Sequence, residues 1–323
     1  MCRLRPRVRL VGSAILVLLV FSVSTTTSLW AQKADDKTGK EEKTLSSLKD
    51  GWPIHVTYYP SRLKKDSAVV VLLHMRGGNR LVWTRKGGMA EMLQNQGFAV
   101  IAVDLRKHGQ SKLTAVPATS GKKKKSRKGA ASNLTRFDYN LMAFSDMEAI
   151  KKFIYTEHQA QKLNMRKLAV VGAGMSAPVA VAFAFNDWLK KPHPDAPTLS
   201  ARTPRGQDVQ ALVLLSPESN VPGLTINRAL KFLKKRTAFL VCVGNRNARK
   251  PLTEANKVYN QLKPIADDPQ LRRNWLNPFP VQLQGTDLLG KRIGIEKVVQ
   301  GFLKKYVSDL KSPWRSRRSK AAG

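Results

Sequence analysis

The chain has 323 residues, 42% of them apolar, which is enough for a sizeable buried core and excludes a globally disordered protein. Lys and Arg number 57 against 22 Asp and Glu, a net charge of +35. That balance favours anionic partners (nucleic acid, acidic or sulfated polysaccharide, lipid headgroups) or else reflects a basic surface with no dedicated ligand.

The first 31 residues read as a secretory signal peptide. "MCRLRPRVRL" carries arginines and no acid, "VGSAILVLLVFSV" is apolar, and small and polar residues lead to a cut after Ala31. The apolar run is shorter than the roughly 20 residues a spanning helix needs, so cleavage is favoured over an uncleaved membrane anchor, the alternative reading. Export to the periplasm or the extracellular space follows. Cys2 leaves with this segment, so Cys242 stands alone and the core must hold the fold.

Residues 32–50 are polar and mixed in charge and are expected to form a flexible leader. A single domain over 51–310 follows. "WPIHVTYYP" alternates as a strand, "SAVVVLLHM" is a buried-strand run, and "LVWTRKGGMAEMLQNQGF" has helical spacing up to Gly97. "AVIAVDL" is the next strand. A basic loop over 112–136 then carries Lys122, Lys123, Lys124, Lys125, Arg127 and Lys128.

The helix "DYNLMAFSDMEAIKKFIYTEH" places Ala143, Met147, Ile150 and Ile154 on one face. Strand "KLAVVG", helix "SAPVAVAFAFNDWLKK", a Pro-rich loop, strand "VQALVLLSP", a short helix around "INRALKFLKK" and strand "TAFLVCVG" come next. Helix "LTEANKVYNQLKPI", strand "FPVQLQ" and helix "IGIEKVVQGFLKKYV" close the series, and residues 311–323 read as a loose basic tail. Alternating helices and near-continuous apolar strands predict an α/β fold, a mostly parallel sheet of about six to eight strands with helices on both faces.

Five segments in order resemble the α/β-hydrolase family over residues 52–308: "VVVLLHMRGG", "GFAVIAVDLRKHGQS", "LVLLSPESNVPGL", "TAFLVCVGNRN" and "VQLQGTDLL". The second carries Asp104, Arg106, His108, Gly109 and Ser111 at the family's spacing. The resemblance implies a Ser-Asp/Glu-His triad, with the serine on a sharp G-x-S-x-G turn between strand and helix. Laid on "GAGMSA", the nucleophile position holds Gly174. The acid position in "GNRN" holds Asn247, and the histidine position in "QGT" holds Gln284. Glycine has no attacking group, glutamine cannot shuttle a proton as imidazole does, and asparagine brings no charge. The resemblance also implies oxyanion donors from the backbone N–H groups of Met175 and of Met75 or Arg76.

Two residues offer displaced chemistry. Ser176 lies two positions past the elbow, where a serine usually serves a helix start. Glu218 follows its strand where some relatives keep their acid, although without a histidine it reads as a surface or structural carboxylate. His74 and His108 fit structural or loop-forming positions of the motif. No metal-ligand spacing, phosphate loop or cofactor motif stands out, so no metal and no cofactor are expected.

The expected protein is an exported, triad-degenerate α/β-hydrolase-like domain without a large cap. It would act as a binding or scaffolding pseudoenzyme, its pocket shaped by loops 75–81, 111–137 and 191–207. A small molecule in the relic pocket, and contact with an anionic polymer or anionic membrane surface through the lysine loop, are the expected partners. The competing class is an active esterase- or peptidase-like hydrolase using Ser176.

Overall fold

The structure, a computed structural model, describes residues 39–113, 133–247, 249–263 and 272–321. The expected signal peptide, the start of the leader and the cluster Lys122–Lys128 lie outside the described residues.

The strands are β1 (Glu41–Ser46), β2 (Pro53–Tyr59), β3 (Val69–Leu73), β4 (Ala99–Val103), β5 (Leu168–Ala173), β6 (Val209–Leu215), the short hairpin β7 (Asn220–Val221) and β8 (Leu224–Thr225), β9 (Ala238–Gly244) and β10 (Asn274–Phe279). Eight of them form one sheet in the order β1-β2-β4-β3-β5-β6-β9-β10. β1 and β2 run antiparallel, and every pairing from β4 to β10 is parallel.

The helices are α1 (Leu81–Thr84), α2 (Met89–Asn95), α3 (Arg136–Leu141), α4 (Met147–Gln159), α5 (Ser176–Leu189), α6 (Asn227–Leu233), α7 (Arg249–Leu262) and α8 (Ile295–Leu303). They cover both faces of the sheet. Val69, Val71 and Leu73 pack with residues of α3 to α7, while Val70 and Leu72 pack with those of α1, α2 and α8. A strand buried on both faces has no polar alternation, which is why these segments read as unbroken apolar runs. The face of Ala143, Met147, Ile150 and Ile154 is buried as its spacing predicts. Between β6 and β9 the chain adds only the β7–β8 hairpin and α6, so the described residues hold no large cap.

Several boundaries differ from expectation. The leader is shorter than 32–50, because Glu41–Ser46 pairs with β2 as the edge strand. Only Leu45 is apolar in "EEKTLS", and an edge strand facing water needs little more. The helix expected to run up to Gly97 breaks after α1. Gly87 sits at φ +67°, and a Cβ on Gly88 would stand 2.7 Å from the carbonyl oxygens of Trp83 and Arg85. The last strand is "NWLNPF" rather than "FPVQLQ"; its asparagines and Pro278 are tolerated because it too is an edge. A five-residue π-turn, Met142–Asp146, joins α3 to α4.

The tail is not loose. Trp314 Nε1 donates to the His158 carbonyl at 2.9 Å, and Arg317 forms an ion pair with Asp208 in the interior. Lys151 pairs with Asp187 and lies 2.8 Å from Asp208, completing a buried four-residue cluster at the start of β6.

Candidate functional site

The parallel strands deliver their carboxyl ends to one edge of the sheet, where ligands of open α/β sheets bind. β5 ends there in a tight turn into α5. Gly172 is fixed by close approach, since a Cβ on it would lie 2.8 Å from the Ser176 carbonyl oxygen and 3.0 Å from the Ala177 Cα. Gly174 occupies the turn itself at φ +54°, its N–H donating to the Leu215 carbonyl at 3.0 Å and its carbonyl accepting from Glu218 N–H at 3.2 Å. The elbow expected at "GAGMSA" is therefore formed, and it presents no side chain.

Two neighbours border the position where a nucleophile would project. A Cβ on Gly174 would meet the Met75 Cβ at 3.4 Å and Glu218 Oε1 at 3.8 Å. The Met75 thioether continues toward the last turn, with its sulfur 2.8 Å from where a Cβ on Gly285 would stand. Methionine thus occupies the corridor between the elbow and the turn of Gln284, along which a serine–histidine hydrogen bond would have to run.

Gln284 is held at both ends. Its Oε1 accepts from Ser216 Oγ at 2.7 Å, and its Nε2 donates to the Gly244 carbonyl at 2.9 Å. Ser216 Oγ also accepts from Gly285 N–H at 2.8 Å. The side chain ties β6 to β9 and keeps no free group for substrate. Asn247 is not brought to this site: it lies exposed on the turn after β9 at φ +51°, a conformation asparagine tolerates. Its place in "GNRN" reflects turn geometry.

The fallback nucleophile is overturned by its surroundings. Ser176 is 0% exposed. Its Oγ accepts from Ala173 N–H at 2.8 Å and reaches the carbonyls of Ala173 and Leu73 at 3.0 and 3.2 Å, fastening α5 to the ends of β5 and β3. No base touches it among the described residues.

Glu218, expected as a surface or structural carboxylate, has a part-exposed side chain that borders the elbow. It is partly buried beside Gly174 and pairs loosely with Arg76 at 3.6 Å. Burial raises its pKa, with Arg76 opposing. The Arg76 guanidinium lies 5.9 Å from the Tyr139 ring centroid, and Tyr139 Oη is 3.6 Å from the Met175 sulfur. The backbone N–H groups of Arg76 and Met175 have no hydrogen-bond partner among the described residues.

The "DLRKHGQS" segment builds the adjoining wall. Asp104 pairs with Arg80 and accepts from the N–H groups of Arg80 and Gln110, at 2.7 and 2.8 Å. Arg106 grips Asp50 and Asp146 and covers the Trp52 ring at 4.8 Å. His74 is buried and spent, with Nδ1–H donating to the Met75 carbonyl at 2.8 Å and Nε2 accepting from Leu105 N–H at 3.1 Å. Burial depresses its pKa from 6.5 to about 4, so the ring is neutral near pH 7. Of the expected pocket loops, 75–81 lines the site. Loop 191–207 lies at the opposite edge of the sheet, against Asp187, Asp208 and the tail. Sequence reading also missed Met75 as a space-filling group and Glu218 as a neighbour of the elbow, because both depend on how three separate turns converge.

No protein-family model and no curated protein matches the sequence. Solved structures do. A dienelactone hydrolase from Anabaena variabilis is 16% identical, with a TM-score of 0.54 over 83% of this chain and 98% of that one. An esterase from Pyrococcus furiosus is 15% identical, with a TM-score of 0.54 over 84% and 92%. A fungal esterase structure from Rhizomucor miehei is 14% identical, with a TM-score of 0.53 over 84% of each chain. Likeness at this level of identity is a statement about fold.

Proposed function

Starting from an α/β-hydrolase fold, we propose that the chain is a non-catalytic binding or scaffolding protein, exported by its N-terminal segment, whose elbow has kept its geometry and lost its chemistry. The observation that carries this reading is the pairing of Gly174 with Met75: the elbow projects nothing, and a thioether fills the path to Gln284. An acyl-transfer triad needs nucleophile and base in hydrogen-bond reach with an orienting acid behind them. Here the corresponding groups are a glycine, a clamped amide and an exposed asparagine on a separate turn. The free N–H groups of Arg76 and Met175 suit a ligand carrying a carbonyl or carboxylate, held without being cleaved.

The test is hydrolysis of short-chain nitrophenyl esters by the purified protein beside Ser176→Ala, Glu218→Gln and the triple variant Gly174→Ser, Asn247→Asp, Gln284→His. The wild type is expected to match the uncatalysed background. The triple variant should stay inactive too, because Met75 fills the corridor and residue 247 sits on a separate turn. Turnover by the wild type that disappears in Ser176→Ala would instead establish the displaced-nucleophile hydrolase. Disappearance in Glu218→Gln would point to carboxylate chemistry at the elbow. Contact of the lysine-rich loop with an anionic polymer or anionic membrane surface is a second part of the proposal, supported by the net charge of +35.

A further inference from the structure

Beside the elbow, between the turn after β3 and the turn after β4, lies an open cleft of about 720 Å³. Its lining is rich in donors and poor in free acceptors. Lys112 is exposed and has no ion-pair partner among the described residues. Arg76 is held loosely, by the 3.6 Å contact with Glu218 and its 5.9 Å approach to the Tyr139 ring. The one carboxylate in the lining, Asp104, is saturated by Arg80 and two backbone N–H groups. Lys107, also in the lining, is paired with Asp138 at 2.8 Å.

His108 gives this cleft a specific chemistry. The residue is 6% exposed, and its Nδ1–H donates to the Arg106 carbonyl at 2.9 Å. Nε2 has no partner among the described residues, on a side chain that lines the cleft. Four groups face the ring: Lys112 and Asp104 from its own loop, and Arg76 and His74 from the turn after β3, with the His74 ring centroid 5.0 Å away. Burial and the two cations lower the ring's pKa, with the hydrogen bond to the Arg106 carbonyl and Asp104 opposing. An anion seated here would neutralise Lys112 and Arg76 and give the Nε2 proton an acceptor, drawing a proton onto the ring. Trp52, Leu81 and Leu113 add apolar surface to the same cleft.

We propose that this cleft binds a small organic oxyanion (carboxylate, sulfonate or phosphate ester) through Lys112, Arg76 and a His108 that takes up a proton with the ligand. The site goes beyond the elbow reading and does not depend on it. Ester turnover would overturn the pseudoenzyme and leave the cleft intact, whereas failure to bind would do the reverse.

Calorimetric titration with benzenesulfonate, whose charge is fixed across the range, provides the test, with inorganic sulfate and neutral benzyl alcohol alongside. Binding should saturate at one site and strengthen about 10-fold as pH falls from about 8 to about 5, with net proton uptake, since only the imidazolium donates from Nε2. His108→Gln should remove the pH dependence and the proton uptake. Lys112→Ala, at an exposed position that should not disturb folding, should weaken binding about 10-fold at either pH by deleting a charge-assisted hydrogen bond. Sulfate binding without a gain for benzenesulfonate would remove the organic part of the proposal. Absence of saturable binding, or binding that follows salt alone and ignores both substitutions, would overturn the site.

Discussion

Gly172, Gly174 and Ser176 hold the elbow by three different physical means, and substitutions separate them. Gly174→Ala puts a Cβ at ordinary contact distance from Met75 and Glu218 but at φ +54°, so the expected loss is about 1–2 kcal/mol of backbone strain. Gly172→Ala drives a Cβ against backbone that cannot rotate away, and should cost more than Gly174→Ala in the same urea titration. Ser176→Ala leaves the Ala173 N–H without its partner, for about 1–3 kcal/mol, and should leave ester background rates untouched. A midpoint unmoved by Ser176→Ala would contradict the buried hydrogen bonds assigned to it.

His74 sets a pH dependence of definite sign. Its folded pKa of about 4 lies below the ordinary 6.5, so the unfolded chain binds the extra proton between those values. The stability it contributes is whole above pH 6.5 and is lost as pH falls toward 4, on the order of 3 kcal/mol. The buried rings of His108 and His158, also lowered, act in the same direction. The unfolding midpoint should therefore drop steeply from pH 6.5 to 4, and His74→Gln should flatten that slope. At this scale the sequence was informative where a motif demands a backbone shape, as at Gly174. It was silent where a role comes from neighbours, as with Glu218, Met75 and the partnerless nitrogen of His108.

Among the elements, the central strands were legible and the edges were not. β3 to β6 and β9 announce themselves because helices bury both their faces. β1 and β10 each bury little, so "EEKTLS" passed for leader and the last strand was expected at "FPVQLQ" instead of "NWLNPF". The tail was misread for a related reason, its charges suggesting solvent when Arg317 is the counter-ion of a buried aspartate. Arg317→Ala would leave Asp187 and Asp208 sharing Lys151 alone. A cost of about 3–5 kcal/mol is expected in denaturant, and an unchanged midpoint would mean that the tail hangs free.

Over the whole molecule, charge and fold carry separate messages. The order of the sheet is that of α/β-hydrolase folds, while the net charge of +35 is a property of composition that the sheet does not dictate. Retention on heparin should fall steeply with salt, and deletion of residues 122–128 should reduce it further. Retention unaffected by that deletion would assign the effect to the general surface. Nothing in strand periodicity foretells such binding, because a charged loop has no packing constraint to leave in the sequence.

The docked tail bears on how the molecule comes apart. Arg317 lies 109 residues from Asp208, and Trp314 lies 156 from His158. These contacts close loops of more than a hundred residues, so the segment around Trp314 and Arg317 and the start of β6 are held or lost together. Release of this segment would strand two carboxylates with one lysine in the interior, so its local opening is tied to loosening of the amino ends of the central strands.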